Sequence, residues 1–169
     1  KYLSTQAKDD AQFYIHNEIG YNYRMTNLQA ALGVAQMEEL QQFIETKHRN
    51  YILYKERFRE VSFGTLLPFR EGTCSNQWFY SLRLREDRLQ GKDMRDIIGA
   101  LQERGVQTRA IWGLIHEQKP YRQNIAYKIE KASCYSATVL NIPSSTQLTE
   151  EDICYAAEQI TEVLGGDEG

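Results

Sequence analysis

The stretch WFYSLRLREDRLQGKDMRDIIGALQERGVQTRAIW, residues 78–112, changes its hydrophobic period twice and decides the fold class. Apolar and polar residues alternate over 78–85, which predicts a half-buried strand. Over about 91–104 the apolar residues recur every three or four positions, and this spacing predicts a helix that Gly105 ends. Alternation returns over 106–112 as a second strand. A strand, a helix and a strand in succession indicate an α/β layer domain.

The sequence after this stretch continues the same order of elements. A weaker helical pattern over about 125–137 precedes the short apolar run 139–142, a third strand. Thr149 and Asp152 then make a capping signal, in which a side chain accepts a hydrogen bond from a free backbone N–H at the start of the last helix. We therefore predict a small C-terminal α/β domain over residues 63–166, with a short three-stranded sheet covered by helices.

A long helix is predicted before this domain. Thr26 and Gln29 match a capping box, and apolar residues then recur every three or four positions, with neither Pro nor Gly between Gly33 and Gly64. This pattern predicts one helix, or two nearly collinear helices, over 26–62. A helix of ~30 residues spans about 45 Å, so we expect it to bridge two bodies.

The two ends of the chain carry weaker patterns. Residues 1–25 are rich in aromatic and apolar side chains but have no helical or strand period, which indicates an irregular segment that packs on another body. The chain opens at Lys1, without an initiator methionine and inside a polar run, so we expect it to be part of a longer sequence. Residues 167–169 are predicted to be a loose tail.

Composition excludes several classes of protein. The 169 residues are 25% charged and 41% hydrophobic with a formal net charge of −3, which is typical of a soluble globular protein and gives no basic stripe for nucleic-acid binding. No apolar run approaches the ~18 residues of a membrane span and no signal-peptide pattern is present, so we predict a cytoplasmic protein that binds no membrane. The cysteines are widely spaced without a C-x-x-C pair, and we interpret them as reduced, mostly buried thiols: Cys74, Cys134 and Cys154.

Common catalytic and metal-binding motifs are absent from the sequence. No G-x-S-x-G elbow frames a serine, so a hydrolase is not supported. His16, His48 and His116 do not lie at metal-ligand spacing from one another or from a cysteine, and we predict no metal site. Neither a G-x-G-x-x-G sequence nor a P-loop is present to hold a phosphate.

The segment GYNYRMTN, residues 20–27, has the parts of a phosphate clamp. Asn22 supplies an amide donor, Arg24 a guanidinium and Thr26 a hydroxyl, just before a helix N-terminus that favours anions. A purely structural interpretation remains open at this point. In that interpretation Thr26 only caps the helix, Arg24 is solvated or salt-bridged, and the tyrosines pack.

The sequence HNEIGYNYRMTNLQAALGVAQMEE, residues 16–39, strongly resembles the DegT/DnrJ/EryC1/StrS family of pyridoxal-phosphate-dependent sugar aminotransferases. The resemblance continues through ERGVQTRAIWGLIHEQKPY (103–121) and ASCYSATVLNIPSSTQLTEEDI (132–153). With LSTQAKD (3–9), the chain is most similar to members that aminate UDP-linked 4-keto-6-deoxy-N-acetylhexosamines. The resemblance implies the bridging helix and the small domain of a fold-type I aminotransferase.

The resemblance also implies roles for five residues. The asparagine and the basic residue of the G-Y-N-Y-R block reach, in this family, across the dimer interface to the cofactor phosphate of the neighbouring subunit, and they match Asn22 and Arg24 here. Arg109, His116 and Tyr121 align with a segment that faces the active-site mouth in relatives, where it contacts substrate nucleotide or sugar. All three are equally consistent with simple surface positions.

The catalytic residues of the family do not match anything in this chain. The Schiff-base lysine, the aspartate that pairs with the pyridine nitrogen and the aromatic that stacks on the ring belong to a large domain that precedes this region. Lys1 and Lys8 lie after the place of the catalytic lysine. We therefore assign no catalytic residue, expect residues 1–25 to belong with the missing large domain, and expect the isolated chain to be inactive.

Two functions of different classes follow. The first is the C-terminal part of a homodimeric enzyme that uses pyridoxal 5'-phosphate to convert a keto sugar nucleotide to an amino sugar nucleotide, with glutamate as amino donor, in surface-glycan or nonulosonate precursor synthesis. The second is a non-catalytic association module on the same scaffold, since a fold does not itself confer a function.

Overall fold

The computed structural model describes residues 2–7, 9, 16–89 and 91–165, so the predicted tail at 167–169 lies outside the described residues. The chain divides into two compact units, Lys1–Gln42 and Phe43–Gly169. The elements in chain order are α1 (Asn27–Arg57), β1 (Gly64–Leu66), β2 (Tyr80–Leu84), α2 (Met94–Glu103), β3 (Arg109–Ala110), α3 (Glu130–Thr138), β4 (Val139–Ile142) and α4 (Glu150–Gly165), with 3-10 turns at Glu86–Arg88 and Ile115–Glu117. The boundary between the units falls within α1.

The first unit pairs the start of the chain with the segment that precedes α1. Tyr21 exchanges backbone hydrogen bonds with this start, donating to the Leu3 carbonyl at 2.7 Å and accepting from the Gln6 N–H at 3.0 Å. Thr5 and Asn22 form an isolated antiparallel bridge. The predicted irregular segment therefore has a local strand-like pairing, which sequence periodicity did not indicate because a single bridge carries no period.

The capping box at the start of α1 forms as predicted. The Thr26 N–H donates to Gln29 Oε1 at 2.9 Å, and the Gln29 N–H donates to Thr26 Oγ1 at 3.3 Å. The helix ends at Arg57, whereas the sequence pattern predicted 62. The chain turns there because Phe58 and Phe63 both enter the core, with their rings edge to face at 6.2 Å.

The sheet of the second unit is antiparallel and has four strands in the order β1-β2-β4-β3. The prediction of three strands was wrong, because β1 is too short to show alternation. Gly64 of β1 lies opposite Leu84, and a Cβ there would lie 2.7 Å from the Arg83 carbonyl oxygen, so this position requires a glycine. The predicted strand over 106–112 shortens to the two residues of β3, at the edge of the sheet.

The core lies on one face of this sheet. Alternate residues of β2 point into it, and Leu140 and Ile142 of β4 lie opposite two of them. Helices α2 and α4 contact each other over this face, and the second half of α1 adds aromatic rings. The fully buried large hydrophobic side chains are Tyr54, Tyr80, Leu82, Ile97, Leu101, Leu140, Ile153 and Ile160. The buried apolar residues of α2 and α4 therefore supply one side of the core.

Local capping explains where α2 begins and ends. Helix α2 starts at Met94, because the Asp93 side chain caps it. It ends in a Schellman motif, in which Gly105 adopts φ +76° and the Val106 N–H donates to the Leu101 carbonyl at 2.9 Å. Helix α3 starts at Glu130, five residues later than the weak pattern indicated.

The cysteines are free, as the sequence predicted, but the prediction that they are mostly buried was wrong. Cys74 is exposed, and Cys134 and Cys154 are half-buried. Cys154 accepts a hydrogen bond from the Arg57 guanidinium at 2.9 Å, which accounts for its place at the edge of the core. None of the helices within the described ranges combines the length and the apolar character that crossing a membrane requires.

Candidate functional site

Asn22 and Arg24 lie in an extended segment just before α1. The rings of Tyr21 and Tyr23 stack on each other with centroids 5.1 Å apart and planes at 9°. Because side chains alternate along an extended chain, two stacked tyrosines at alternate positions leave Asn22 and Arg24 on the other side. The segment thus separates an aromatic side from a side that carries an amide and a guanidinium.

The donors of Asn22 and Arg24 are unused within the described part of the chain. Both side chains are exposed, and neither makes a hydrogen bond or an ion pair with another described residue. An amide and a guanidinium are both hydrogen-bond donors, and the planar guanidinium matches the oxygens of a phosphate. The pair can therefore bind an anionic group such as a phosphate. Thr26 serves the capping box, so its hydroxyl is already engaged.

Arg109 lies in β3, at the edge of the sheet, directly opposite Asn141 of β4. Its side chain is exposed and has no hydrogen-bond or ion-pair partner among the described residues. His116 lies in the 3-10 turn Ile115–Glu117, and its Nε2 is 3.8 Å from the carboxylate of Glu117. Its side chain is partly covered, so it is neither a buried residue nor a freely solvated one.

Tyr121 follows this 3-10 turn and is about half exposed, with its backbone N–H donating to the Gln118 carbonyl at 2.8 Å. No hydrogen bond, ion pair or ring contact joins Arg109, His116 and Tyr121 to one another in the ranges that the structure describes. They lie on one connected stretch of backbone, but the structure does not bring them into a single constellation.

A cleft of about 390 Å³ opens beside Arg109 in the second unit. Its walls come from β3, β4, the loop after β4 and the start of α4. The side chains that line this cleft include Phe79, Gln107, Arg109, Asn141, Asp152 and Tyr155. Sequence reasoning singled out only Arg109 as a ligand-binding residue among them. The alternation over 78–85 placed Phe79 on the polar side of the strand, and an aromatic on that side is the signal that could have found it.

Two charged groups near this cleft are already engaged in the structure. The backbone N–H of Thr149 and its hydroxyl both donate to Asp152, and these hydrogen bonds hold the pKa of that carboxyl below its ordinary value. The Lys47 ammonium donates to the carbonyls of Trp78 and Ser144, and burial lowers its pKa. Asp152 therefore caps the start of α4, Lys47 fastens α1 to the loops around the sheet, and Arg109 is an unengaged cation on the cleft wall.

Comparison with curated proteins points to one group of enzymes. EpsN of Bacillus subtilis, named as a pyridoxal phosphate-dependent aminotransferase, is 28% identical over 156 residues, which cover 90% of this chain and 39% of that protein. GDP-perosamine synthase of Caulobacter vibrioides is 28% identical over 163 residues, which cover 96% of this chain and 43% of that protein. The chain thus spans about two fifths of the length of these relatives.

Solved structures show the same fold. Helicobacter pylori PseC, an aminotransferase involved in the biosynthesis of pseudoaminic acid, matches with a TM-score of 0.82 at 19% identity, over 98% of this chain and 45% of that one. The aminotransferase TlmJ from Streptoalloteichus hindustanus matches with a TM-score of 0.81 at 17% identity, over 97% of this chain and 43% of that one. These matches confirm the predicted α/β fold class.

The family assignment rests on nearly the whole sequence. The profile of the DegT/DnrJ/EryC1/StrS aminotransferase family matches residues 1–161, a range that includes the G-Y-N-Y-R block and the segments after α2 and β4. This confirms the resemblance inferred from those segments. The chain belongs to the DegT/DnrJ/EryC1/StrS aminotransferase family, whose members depend on pyridoxal phosphate.

Proposed function

We propose that this chain is the C-terminal part of a pyridoxal-phosphate-dependent aminotransferase that converts a keto sugar nucleotide to an amino sugar nucleotide. Glutamate is the amino donor, and the product enters surface-glycan or nonulosonate precursor synthesis. The enzyme works as a cytoplasmic homodimer. The family match supports the reaction class, and the relatives named as GDP-perosamine synthases support a nucleotide-linked sugar as substrate.

The observation that carries the proposal is the pair of unused donors at Asn22 and Arg24. These donors are exposed and have no partner among the described residues, so they are available to bind a phosphate. No acidic side chain of the described residues is bonded to them. When bound, the cofactor supplies an electron sink for the transfer of the amino group. The residues of this chain hold its phosphate, and through the phosphate they fix where the ring lies.

Substrate contacts come from the second unit in this proposal. Arg109 offers an unengaged guanidinium at the sheet edge, while His116 and Tyr121 follow it along the chain on partly exposed turns. Arg109 binds an anionic part of the nucleotide sugar, and the other two bind its polar groups. The lysine that holds the cofactor and moves the proton lies in residues outside this chain, so the isolated chain is inactive.

The exposed apolar side chains of the first unit support the proposal that another domain packs on it. Large apolar side chains lie uncovered there, and Leu28 is 82% exposed. A patch of this kind marks a surface that another body covers. The exposed apolar side chains of the first unit within the described ranges are Tyr2, Leu3, Ile19, Tyr21, Tyr23, Met25, Leu28, Leu32, Val34, Met37 and Leu40. In the proposed enzyme the large domain covers this face.

The test uses the full protein read from the genomic frame that contains this chain. Arg24→Gln and Asn22→Ala should each weaken binding of pyridoxal phosphate roughly tenfold, measured by the absorption of the bound cofactor. Arg49→Gln, an exposed arginine of α1, is the matched control and should leave binding unchanged. Mass spectrometry of the sugar nucleotide with glutamate as donor measures the reaction itself.

Two results would overturn the proposal. A full protein without a lysine that binds the cofactor, or one in which Arg24→Gln binds it normally, contradicts the assignment of this pair to the phosphate. The first of these results favours the non-catalytic association module, for which the exposed apolar face of the first unit would be the docking surface.

A further inference from the structure

The start of the chain is bonded to the segment that carries Asn22 and Arg24, the donor pair. The Tyr23 N–H donates to the Ser4 carbonyl at 3.2 Å, next to the antiparallel bridge between Thr5 and Asn22. Tyr23 lies between the two members of the donor pair, so this hydrogen bond restrains the backbone from which both side chains extend. The position of the donor pair therefore depends on how the start of the chain is held.

A strained turn follows this pairing. Gln6 and Ala7 have φ +68° and +47°, in the left-handed region that residues with a Cβ rarely adopt. The two paired segments approach so closely here that a Cβ on Gly20 would lie 2.2 Å from the Ala7 nitrogen. Left-handed residues other than glycine cost free energy and persist only where surrounding contacts determine them. The turn therefore needs specific contacts to hold it.

Asp9 supplies such contacts. Its Oδ2 accepts from the Tyr2 hydroxyl at 2.8 Å and from the Asn17 N–H at 3.0 Å. Tyr2 lies before the turn and Asn17 lies in the segment that leads to the donor pair, so one carboxylate oxygen joins both sides of the pairing. These hydrogen bonds hold the pKa of the Asp9 carboxyl below its ordinary value, because they are made to its ionised form.

A histidine adds a second contact to the turn. His16 Nδ1 lies 2.7 Å from the Gln6 carbonyl, and since a carbonyl only accepts, this nitrogen carries the proton. Over residues 2–7, 9 and 16–42, the described part of the first unit, Ala7 is the one buried residue. A hydrophobic core is thus not what orders the paired segments. The hydrogen bonds of Asp9 and His16 take that place.

We propose that Asp9 is a positioning residue for the cofactor phosphate. Its carboxylate fastens Asn17 to Tyr2, which keeps the two segments paired and holds the donor pair where it can bind the phosphate. Donors that are already ordered lose less conformational entropy when the phosphate binds. This inference rests on the proposed function and deepens it, since it names a residue that acts on the cofactor through the donor pair.

The test uses the full protein and compares the cofactor with and without its phosphate. Asp9→Asn keeps the size of the side chain but removes the charge that strengthens both hydrogen bonds, so it should weaken binding of pyridoxal 5'-phosphate roughly fivefold. Pyridoxal carries the same ring and aldehyde but no phosphate, and its dissociation constant should not change. The absorption of the bound cofactor measures both affinities.

Three further variants separate position from charge. Tyr2→Phe removes only the hydroxyl and should weaken binding of pyridoxal 5'-phosphate roughly threefold. Asp9→Glu restores a carboxylate and should recover part of the affinity that Asp9→Asn loses. Glu18→Gln removes an exposed carboxylate beside Asn17 and is the matched control, which should not weaken binding. Loss of a negative charge by itself favours an anion, so weaker binding by Asp9→Asn indicates lost hydrogen bonds.

Two measurements show whether Asp9 acts through the donor pair. In the Arg24→Gln background, Asp9→Asn should weaken binding less than it does in the native protein, because the group that it positions is gone. Amide hydrogen exchange in the cofactor-free full protein should become faster over residues 16–25 in Asp9→Asn. Exchange over β2 and β4 should stay as in the native protein.

Three outcomes contradict this inference. Normal binding of pyridoxal 5'-phosphate by Asp9→Asn would leave Asp9 without a role at the phosphate. An equal loss of pyridoxal binding would make Asp9 a residue of general stability. Additive effects of Asp9→Asn and Arg24→Gln would mean that Asp9 does not act through the donor pair. Normal binding by Arg24→Gln alone contradicts the proposed function instead, so the two failures are distinguishable.

Discussion

The ammonium of Lys47 donates a hydrogen bond to the backbone carbonyl of Trp78 at 2.9 Å, across a separation of 31 residues. The same ammonium donates to the Ser144 carbonyl, and the Tyr80 hydroxyl donates to the Lys47 carbonyl at 2.7 Å. No carboxylate of the described residues forms an ion pair with this lysine. Backbone carbonyl groups therefore stabilise the charged ammonium of Lys47. These hydrogen bonds also fasten the second half of α1 to the loops around the sheet.

Removal of this lysine should destabilise the second unit. Lys47→Ala leaves the Ser144 carbonyl without its charged donor, so we expect the free energy of unfolding to fall by about 1–3 kcal/mol. Lys55→Ala, at an exposed position of the same helix, should change it by less than about 0.5 kcal/mol. Urea denaturation followed by circular dichroism measures both. Equal effects of the two substitutions would contradict a special role for Lys47.

Gly99, within α2, and Gly105, just after its end, should respond to alanine with opposite signs. Gly105 adopts φ +76° in the Schellman motif, so Gly105→Ala should cost about 1 kcal/mol of stability. Gly99 lies within the helix, where an added Cβ meets nothing within 4 Å, so Gly99→Ala should stabilise by about 0.5–1 kcal/mol. Thermal denaturation of the two variants checks the signs. A stabilising Gly105→Ala would show that the motif is not formed in solution.

Acid should weaken the cap of α4. The Thr149 backbone N–H and hydroxyl hold the pKa of Asp152 below its ordinary value, so the ionised carboxyl stabilises the fold at neutral pH. This contribution is lost as the pH falls through the folded-state pKa, because the unfolded chain takes up the proton first. The difference in free energy of unfolding between the native chain and Asp152→Asn should therefore be largest near neutral pH.

Urea midpoints measured from neutral pH down to about pH 3 test this prediction. Glu151→Gln is the matched control, because Glu151 is an exposed carboxylate in the same first turn that makes no hydrogen bond within the described residues. Its difference from the native chain should vary less with pH. A flat difference for Asp152→Asn would mean that the Thr149 hydrogen bonds do not persist in solution.

The exposed apolar side chains in the first half of α1 should contribute little to the stability of the isolated chain. Leu28 is 82% exposed, so Leu28→Ala should change the free energy of unfolding by less than about 0.5 kcal/mol. Leu101 is fully buried, and Leu101→Ala should cost about 2–5 kcal/mol. In the full protein we expect Leu28→Ala to become destabilising, since the proposed large domain buries this side chain. Urea denaturation of both proteins makes the comparison.

A large cost of Leu28→Ala in the isolated chain would contradict this expectation. It would mean that another copy of the chain covers the face, and the cost would then depend on protein concentration.

Sequence patterns identified the regular elements wherever a pattern was long enough to have a period. The capping boxes at Thr26 and Thr149 and the glycine end of α2 were all read correctly, because they depend on residues a few positions apart. The strand β1 was missed because its three residues cannot show alternation. The end of α1 was placed five residues too far, because the packing of Phe63 in the core decides it.

The family and the candidate phosphate ligands, Asn22 and Arg24, followed from sequence because they sit in one continuous block next to a helix start. The residues around Arg109 could not be predicted from sequence in this way. Phe79 and Asn141 come from separate segments, and only the folded sheet brings them to the same cleft as Arg109. A site made of adjacent residues can be predicted from sequence, because its members are neighbours along the chain. A cleft wall depends on the pairing of distant strands, which only the tertiary structure decides.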